Sequence, residues 1–424
     1  MKPEQADIVI VGAGMVGVTL ATLLAPGGLN IWLLERQAGD PAAYPQVVRA
    51  QQADAYDPRV SALTCASQQV LTTVGAWPKM QAYRVSPYMH MDVWDGEGTG
   101  HIHFSARELH EPCLGHIVEN RVTLAALYEV MGQHDNIRFE AGVEVQALSE
   151  PRGETDTDYR QLTLSDGREL KATLVVAADG ALSRTRQMAG IPMWEWDYGH
   201  HAIVTTIKTE RPHQHTAWQR FTEDGPLAIL PLHSDEGDYY SSIVWSTSPG
   251  HARELMALDD ETFCHALSRA FEHRLGKVCW SDPRHVFPLR QRHAKYYVQP
   301  GFALIGDAAH TIHPLAGQGV NLGLLDAAAL AETLLDAAQR GELLGDESVL
   351  RRFQRARRSD NLKMSAAMES FKRLFNEQQL VVRLARNLGM NLLDKVGPVK
   401  NHIVMDAMGL RGNLPRSARR PIRS

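Results

Sequence analysis

The run Gly12-x-Gly14-x-x-Gly17, set directly behind the apolar stretch Ile8-Val9-Ile10-Val11, restricts what this chain can fold into more than any other feature. An unbroken apolar tetrad marks a strand buried on both faces, as in a parallel sheet. Met15 to Leu24 then reads as a helix, and Asn30 to Leu34 as a second buried strand ending at Glu35. Strand, glycine turn, helix and strand make a βαβ unit. Gly12 permits the tight turn, Gly14 lets a pyrophosphate approach the backbone, and Gly17 allows close helix–strand packing. Residues Gly12, Ala13, Gly14, Met15, Val16 and Gly17 are therefore a candidate phosphate cradle, aided by the unpaired amides and dipole of the helix N-terminus. Glu35 would accept hydrogen bonds from ribose hydroxyls, and Arg36 beside it is placed in the same site.

A second glycine–acid element lies far downstream. Phe302-Ala303-Leu304-Ile305 is another short apolar strand, followed by Gly306-Asp307-Ala308-Ala309-His310. A carboxylate at the tip of a buried strand can hold a ribitol hydroxyl, which points to FAD rather than NAD. Beyond it, His313-Pro314-Leu315-Ala316-Gly317-Gln318-Gly319-Val320-Asn321 runs into a helix containing Asp326. Small residues at 316, 317 and 319 let backbone amides meet a flat ring, so Gly317, Gln318, Gly319, Val320 and Asn321 are candidate contacts. The helix dipole would stabilise negative charge at the flavin N1–C2=O end. Pro314, just ahead of this turn, is the candidate for orienting a substrate through its carbonyl.

The third element is Leu174-Val175-Val176-Ala177-Ala178 followed by Asp179-Gly180, with Arg184 and Arg186 close behind. It suits pyrophosphate contact and the docking of a nicotinamide nucleotide. Arg59 and Arg121 complete the set, because a guanidinium offers a fixed fork of donors to phosphate or carbonyl oxygens. A solvated role is commoner for any single surface arginine.

Between Gly190 and Pro288 the texture changes. His200 to Lys208, Trp218 to Phe221, Leu227 to Leu232 and Tyr239 to Trp245 alternate as in a mostly antiparallel sheet. Leu322 to Leu343 is Ala/Leu-rich and helical, apolar periodicity returns between Leu362 and Met408, and the basic tail after Gly409 reads as disordered. A chain of 424 residues predicts two connected domains. The FAD-binding part is assigned to 1–75, 106–189 and 289–345, and the substrate-binding part to 76–105 and 190–288. A helical region follows at 346–410, then the tail at 411–424. Gly96-x-Gly98-x-Gly100 lies in a polar loop in the wrong register, so no second dinucleotide domain is expected.

A net charge of −5 gives no pull toward nucleic acid. No apolar run reaches the roughly 18 residues of a spanning helix, and the N-terminus lacks signal-peptide order, so a cytoplasmic location is expected. Cys65, Cys113, Cys264 and Cys279 show no metal spacing and read as reduced packing residues. His310 and His313 lack accompanying ligands, so no metal site is expected. Arg351, Arg352, Arg355, Arg357 and Arg358 read as a solvated helix face. Met364, Met368, Phe371, Leu374 and Phe375 form a stripe for packing or, alternatively, for contact with membrane or a prenyl tail.

Together, Gly12-Gly14-Gly17, Asp179-Gly180 and Gly306-Asp307 resemble the three fingerprints of the class A flavoprotein monooxygenases. Their fold is p-hydroxybenzoate hydroxylase-like: an α/β Rossmann-type FAD-binding domain with an inserted, mostly antiparallel substrate sheet and C-terminal helices. The run His313 to Gly323, with Asp326, resembles the narrower signature of the ubiquinone-biosynthesis hydroxylases. Leu114-Gly115-His116-Ile117-Val118-Glu119-Asn120 and Trp196-Asp197-Tyr198-Gly199-His200-His201 are most similar to the VisC branch, the 2-octaprenylphenol hydroxylases.

That resemblance extends from Asp7 to about Leu410. It implies that NAD(P)H or another donor reduces FAD, that O2 then forms a C4a-hydroperoxide, and that its distal oxygen attacks a polyprenylphenol ring. The protein would orient the phenol and exclude water. Other ubiquinone-biosynthesis proteins are possible partners, and peripheral contact with the inner face of a membrane fits a lipid substrate. An apolar groove for the tail would take Ala228 to Leu230 and Ser242 to Trp245 as one wall. The competing readings are a class A hydroxylase of a small soluble aromatic and a flavin-binding structural subunit.

Overall fold

The computed structural model describes residues 4–50, 55–151, 159–311, 319–376, 380–410 and 412–420. For 365, 367–376, 380–386 and 403 it describes the helix path alone. Two large sheets and one small one carry the chain.

In the eight-stranded sheet, Phe302–Leu304, Glu169–Ala177, Glu4–Val11, Ile31–Glu35 and Ile137–Ala141 lie side by side and parallel. Ile8, Val9, Ile10, Leu174, Val175, Val176, Ala303 and Leu304 are all fully buried, so both faces of these strands are covered. That is why these strands read as continuous apolar runs rather than alternating ones. The first strand starts at Glu4, four residues ahead of its apolar core. The helices Met15–Leu24 and Gly319–Gln339 pack on this sheet and on each other. Register places Val11 opposite Ala177 and Leu34, and Ala177 opposite Leu304, so four strands end together.

The nine-stranded sheet runs His310–Thr311, His285–Ala294, Met193–Thr209, Tyr240–Thr247, Gly225–Pro231, Thr216–Thr222, His90–Asp95 and His101–Ser105, with Val278–Ser281 off this path. Its pairs are antiparallel except Thr216–Thr222 with His90–Asp95. One face packs Ile203, Leu227, Ile229, Ile243 and Trp245 against the helices Pro249–Ala257 and Asp260–Ala270. The other carries Tyr198, Ala202, Val204, Leu289 and Val244. Leu230 on that second face meets Ala62 and Ile117 of the small sheet. Strand alternation therefore corrects the expected wall: Ala228, Leu230, Ser242 and Val244 are available to it, whereas Ile229, Ile243 and Trp245 back onto helices.

The C-terminal helices are Glu347–Asn376, Leu380–Lys395 and Gly397–Ala407. Asn387, Asn391 and Asp394 accept the amides of Gly100, His101 and His103, so a helix closes the open edge of the last strand. The expected disordered tail is corrected for residues 412–420. Leu414 and Ala418 pack with Ala66, Val70, Leu325 and Ala328. Arg416 bridges to Glu332 at 3.0 Å and also pairs with Asp336, and Arg420 bridges to Glu111 at 2.6 Å. Cys65, Cys113 and Cys264 are buried, but Cys279 is exposed. No described helix is long and apolar enough to cross a membrane.

Candidate functional site

The elements singled out in the sequence converge where the central parallel strands end, the usual ligand-binding edge of such a sheet. Gly12 turns with φ +104°, and a Cβ there would stand 2.5 Å from the Ala178 carbonyl oxygen. A Cβ on Gly17 would drive into the Gly12 carbonyl, whereas one on Gly14 would meet nothing within 4 Å. The turn is thus sealed on its protein side and open above Gly14. Gly14 begins the helix without a side-chain cap, leaving the first amides for another acceptor. Glu35 accepts the Ala13 amide at 2.9 Å and the Gln37 amide at 2.9 Å, so it also braces the turn. Tyr128 Oη donates to the Ala13 carbonyl at 3.0 Å, and Tyr44 meets the Tyr128 ring edge-on at 5.5 Å. Neither tyrosine carried a sequence signal.

Asp179 borders the same turn, since a Cβ on Gly12 would lie 2.9 Å from its Cα. Its Oδ2 accepts the Thr185 amide and hydroxyl at 3.2 and 2.9 Å, while Oδ1 is buried without a partner. Val16 links the two ends of the chain: Cβ positions on Gly306 and Gly323 would fall 3.3 and 2.6 Å from its methyls. Asp307 Oδ1 would be 3.8 Å from a Cβ on Gly319. Surrounding protein raises the Asp307 carboxyl above its usual range, with His310 and Arg292 opposing. Its side chain nevertheless stays open to solvent. A carboxylate both crowded and accessible lines a cleft.

Asp57 gathers the two arginine positions by accepting the amides of Arg59 (2.9 Å) and Arg121 (3.2 Å). Arg121 pairs with Glu119 at 2.7 Å, and Arg84 takes the other Glu119 oxygen. Arg36 and Arg59 are exposed. Burial, then Asp57, raises the Tyr44 phenol above its ordinary value against Arg121 and Arg59, which sets those arginines beside the tyrosine pair. Val320 is half-buried, and Asn321 is buried. The Asn321 side chain ties the helix to Thr64 N, Ser67 Oγ and Ala62 O at 3.0, 2.6 and 2.8 Å, which leaves its backbone for any ring contact. Pro314, Gly317 and Gln318, with His313, lie outside the described residues.

Beneath the cleft sits a network that sequence reasoning missed. Asp326, fully buried, accepts four donors: Gly306 N (3.2 Å) and His310 Nε2 (2.5 Å) on one oxygen, Arg357 Nε (2.9 Å) and Asn361 Nδ2 (3.1 Å) on the other. Burial opposes the charge, but His310 and Arg357 outweigh it and hold the carboxyl at about 2. Arg357 is therefore an interior ion-pair partner, which corrects its assignment to a solvated face; Arg351 and Arg355 on the same helix are exposed.

His213, His215 and Asp238 bring ligand atoms within 4.8 Å of one another. His213 Nδ1, however, accepts the His215 amide at 3.0 Å, and its Nε2 lies 3.2 Å from the Leu232 carbonyl. That arrangement places the proton on Nε2 and leaves a neutral ring no lone pair for a metal.

The residues present fit a dinucleotide cofactor: an open cradle over Gly14, an unpartnered Asp179 oxygen and a cleft-lining Asp307. Comparison with known proteins agrees. The FAD binding domain family matches residues 5–364. The 3-demethoxyubiquinol 3-hydroxylase of Escherichia coli (strain K12) is 38% identical over 97% of this chain and 100% of its own. The ubiquinone biosynthesis monooxygenase COQ6 of Xenopus tropicalis is 35% identical over 95% and 93%. Among solved structures, p-nitrophenol 4-monooxygenase PnpA from Pseudomonas putida DLL-E4 superposes with a TM-score of 0.73 at 18% identity, over 97% of this chain and 99% of that one, and so shares the fold.

Proposed function

Since this chain belongs to the ubiquinone-biosynthesis hydroxylases, FAD-dependent monooxygenases of p-hydroxybenzoate hydroxylase-like fold, we propose that it inserts one atom of O2 into the ring of a polyprenylated phenol. Bound FAD, reduced by NAD(P)H or another donor, supplies the activated oxygen. The chain's own residues do the rest.

In this reading the amides of Gly12 to Gly17 and the helix behind them hold the pyrophosphate. Glu35, with Arg36 beside it, meets the adenosine end. Asp307, with Gly306, takes the ribitol, and Asp179, Arg59 and Arg121 border the phosphates and ring. Gly317, Gln318, Gly319, Val320 and Asn321 present backbone to the flavin, and the Pro314 carbonyl faces the substrate hydroxyl. Residues 1–75, 106–189 and 289–345 serve the cofactor, while 76–105 and 190–288 serve the substrate. The protein would work on the cytoplasmic face of a membrane, in contact with its lipid substrate and with other enzymes of the route.

One observation carries the choice of a prenylated ring over a small soluble aromatic. Among the described residues, the apolar cluster of Tyr198, Ala202, Val204, Leu289 and Val244 contains no helix residue, in contrast to the cluster on the opposite face. Half-buried Ala228 and Val244 lie on that sheet face, and Phe287, paired with Ala202, is 40% exposed. An apolar wall beside the cofactor edge suits a hydrocarbon tail. Burying one methylene stabilises binding by about 0.8 kcal/mol, so even one five-carbon unit should be visible in kinetics. Comparing kcat/KM for phenols with zero, one, two and three prenyl units tests the proposal. A rise with chain length supports it; a preference for the bare phenol overturns it.

A further inference from the structure

The helix Leu380–Lys395 is amphipathic the wrong way round for a surface that meets only water. Its polar residues face inward: Asn387, Asn391 and Asp394, at helical spacing, accept the amides of Gly100, His101 and His103, the last two at 3.0 and 3.1 Å. Met390 and Leu393 also turn inward, against Val93, Ile102 and Phe221 of the large antiparallel sheet. The arc left over is apolar. Leu388 is 71% exposed and Leu392, one turn on, 61%. The Val396 amide still bonds to the Leu392 carbonyl at 3.1 Å, and Val399 N to Val396 O at 3.1 Å, so the stripe continues into the helix Gly397–Ala407. Val396 is 39% and Val399 50% exposed, with Pro398 exposed between them. A water-facing helix surface is normally charged or polar. One exposed leucine needs no explanation, but a continuous row of large apolar side chains marks a contact surface.

The inner side of this helix stands at one end of the wall assigned to the hydrocarbon tail. Trp94 and Trp218 pack on the helix-backed face, so strand alternation turns Val93 and Phe221 to the other one. A single row of paired residues crosses that second face. Val204 lies opposite Val244, Val244 opposite Ala228, and Ala228 opposite Gln219. Gln219 then lies opposite Val93, and Val93 opposite Ile102. Only Gln219 in this row is polar. Neighbouring strands lie about 4.8 Å apart, so the row from Val204 to Ile102 is about 24 Å long. Met390 and Leu393 close its Ile102 end, and Leu388 and Leu392 lie on the outer side of the same helix.

Charge along the stripe favours an anionic surface. Lys395 stands exposed at its edge, three residues from Leu392. Asp394 is the only acid between Glu377 and Asp406 in the sequence. It is turned inward, where it and Glu108 hold the buried Lys400 at 3.4 and 3.0 Å. Exposed His402 and Asp406, one and two turns beyond Val399, end the apolar stretch. Such a patch is small for a protein partner, since a specific interface takes about 20–30 residues a side. It suits a helix lying in the plane of a membrane, where a few apolar side chains sink about 5–10 Å and basic ones meet the headgroups.

We infer that Leu388, Leu392, Val396 and Val399 form a lipid-docking face, which enters an anionic bilayer leaflet while Lys395 meets its phosphates. Docking there brings the Ile102 end of the apolar row to the membrane, and that is the end from which a hydrocarbon tail is drawn in. The inference deepens the prenylated-phenol reading above and rests on it for its purpose.

The test is flotation of the full-length, FAD-loaded protein with vesicles of equal parts phosphatidylethanolamine and phosphatidylglycerol. Wild type should float with the vesicles. Leu388→Glu/Leu392→Glu should bind at least about tenfold more weakly, with flavin absorbance and Tm unchanged because both positions are exposed. Leu388→Ala/Leu392→Ala removes the leucines without adding charge and should weaken binding in the same direction, which keeps the test decisive if the acidic variant does not fold. Lys395→Glu should weaken it too, by a factor that shrinks as salt is raised. Wild type that stays in the soluble fraction, or leucine variants that float as well as wild type, overturns the docking face. A dimer that the leucine variants split, with vesicle binding unaltered, assigns the stripe to a second copy and overturns it equally. Failure of the substrate reading looks different: vesicle binding and its loss in the variants persist, while no prenylated phenol is turned over. Where turnover is found, the leucine variants should keep wild-type kcat/KM for a short, soluble prenylphenol and lose it for a long-chain one delivered in vesicles. Equal kinetics in vesicles overturn the purpose assigned to the face.

Discussion

Replacing Arg357 by leucine removes the one guanidinium bonded to a carboxylate that has no access to water. Arg357 Nε lies 2.9 Å from Asp326 Oδ1, its Nη2 lies 2.9 Å from Asn361, and the residue itself is 2% exposed. In Arg357→Leu, Asp326 keeps Gly306 N, His310 Nε2 and Asn361 Nδ2 but loses the guanidinium that opposes its charge. Breaking a buried pair from one side costs about 3–5 kcal/mol, because the remaining charge stays desolvated. Asp326→Asn alone should cost a similar amount by stranding the guanidinium. The double variant Asp326→Asn/Arg357→Leu carries no buried charge, so it should be less destabilised than the two singles added together. Neighbouring sites commonly show coupling of about 0.5–3 kcal/mol. Urea unfolding at one fixed, saturating FAD concentration measures all four corners of the cycle. A cost below about 1 kcal/mol for Arg357→Leu, or strict additivity, would refute the interior ion pair and return Arg357 to the solvated face.

Three further outcomes are expected. Asp307→Ala should weaken FAD binding about tenfold to a hundredfold, the worth of roughly 1.5–3 kcal/mol for a hydrogen bond to a charged group; an unchanged dissociation constant removes Asp307 from the site. Gly14→Ala needs no backbone adjustment at φ −71° and meets no protein atom, so it should leave the apo fold intact while costing at least about tenfold in FAD affinity (roughly 1.4 kcal/mol). Gly17→Ala should destabilise the fold itself, and equal behaviour of the two would contradict the geometry of the turn. Burial holds His116 and His293 at about 4 against 6.5 for a free histidine. The unfolded chain therefore binds these protons first, and stability should fall by about 3 kcal/mol per histidine as pH drops from about 6.5 to about 4. Urea midpoints across that range should flatten in His116→Gln; an unaltered slope would show that His116 does not titrate as described.

The nucleotide-binding half was legible because its physics is local. Strands covered on both faces write themselves as apolar runs, and a turn that must clear both a carbonyl and a pyrophosphate needs glycine at fixed positions. The network under Asp326 was not legible in that way, since it joins positions 293, 297, 310, 326, 357 and 361. One signal did exist. Leu350, Phe353, Arg357 and Asn361 fall on a single helical stripe and all are buried. An arginine on an apolar stripe, with asparagine one turn on, announces a buried partner, while Arg351 and Arg355 on the other side are solvated. The tail misled through composition: its arginines meet Glu332, Asp336 and Glu111 supplied by distant segments. Gly98 and Gly100 likewise showed no motif, and the reason is packing, since any Cβ there would collide with Asn387 of the helix closing the sheet edge.

In the proposed reaction this protein uses FAD and O2 to hydroxylate a prenylated phenol ring. Purified, FAD-loaded protein supplied with a reductant, a short-chain prenylphenol and 18O2 should yield a hydroxylated ring carrying one 18O atom. Consumption of reductant with hydrogen peroxide as the sole oxygen product, or a ring oxygen derived from water, would contradict it.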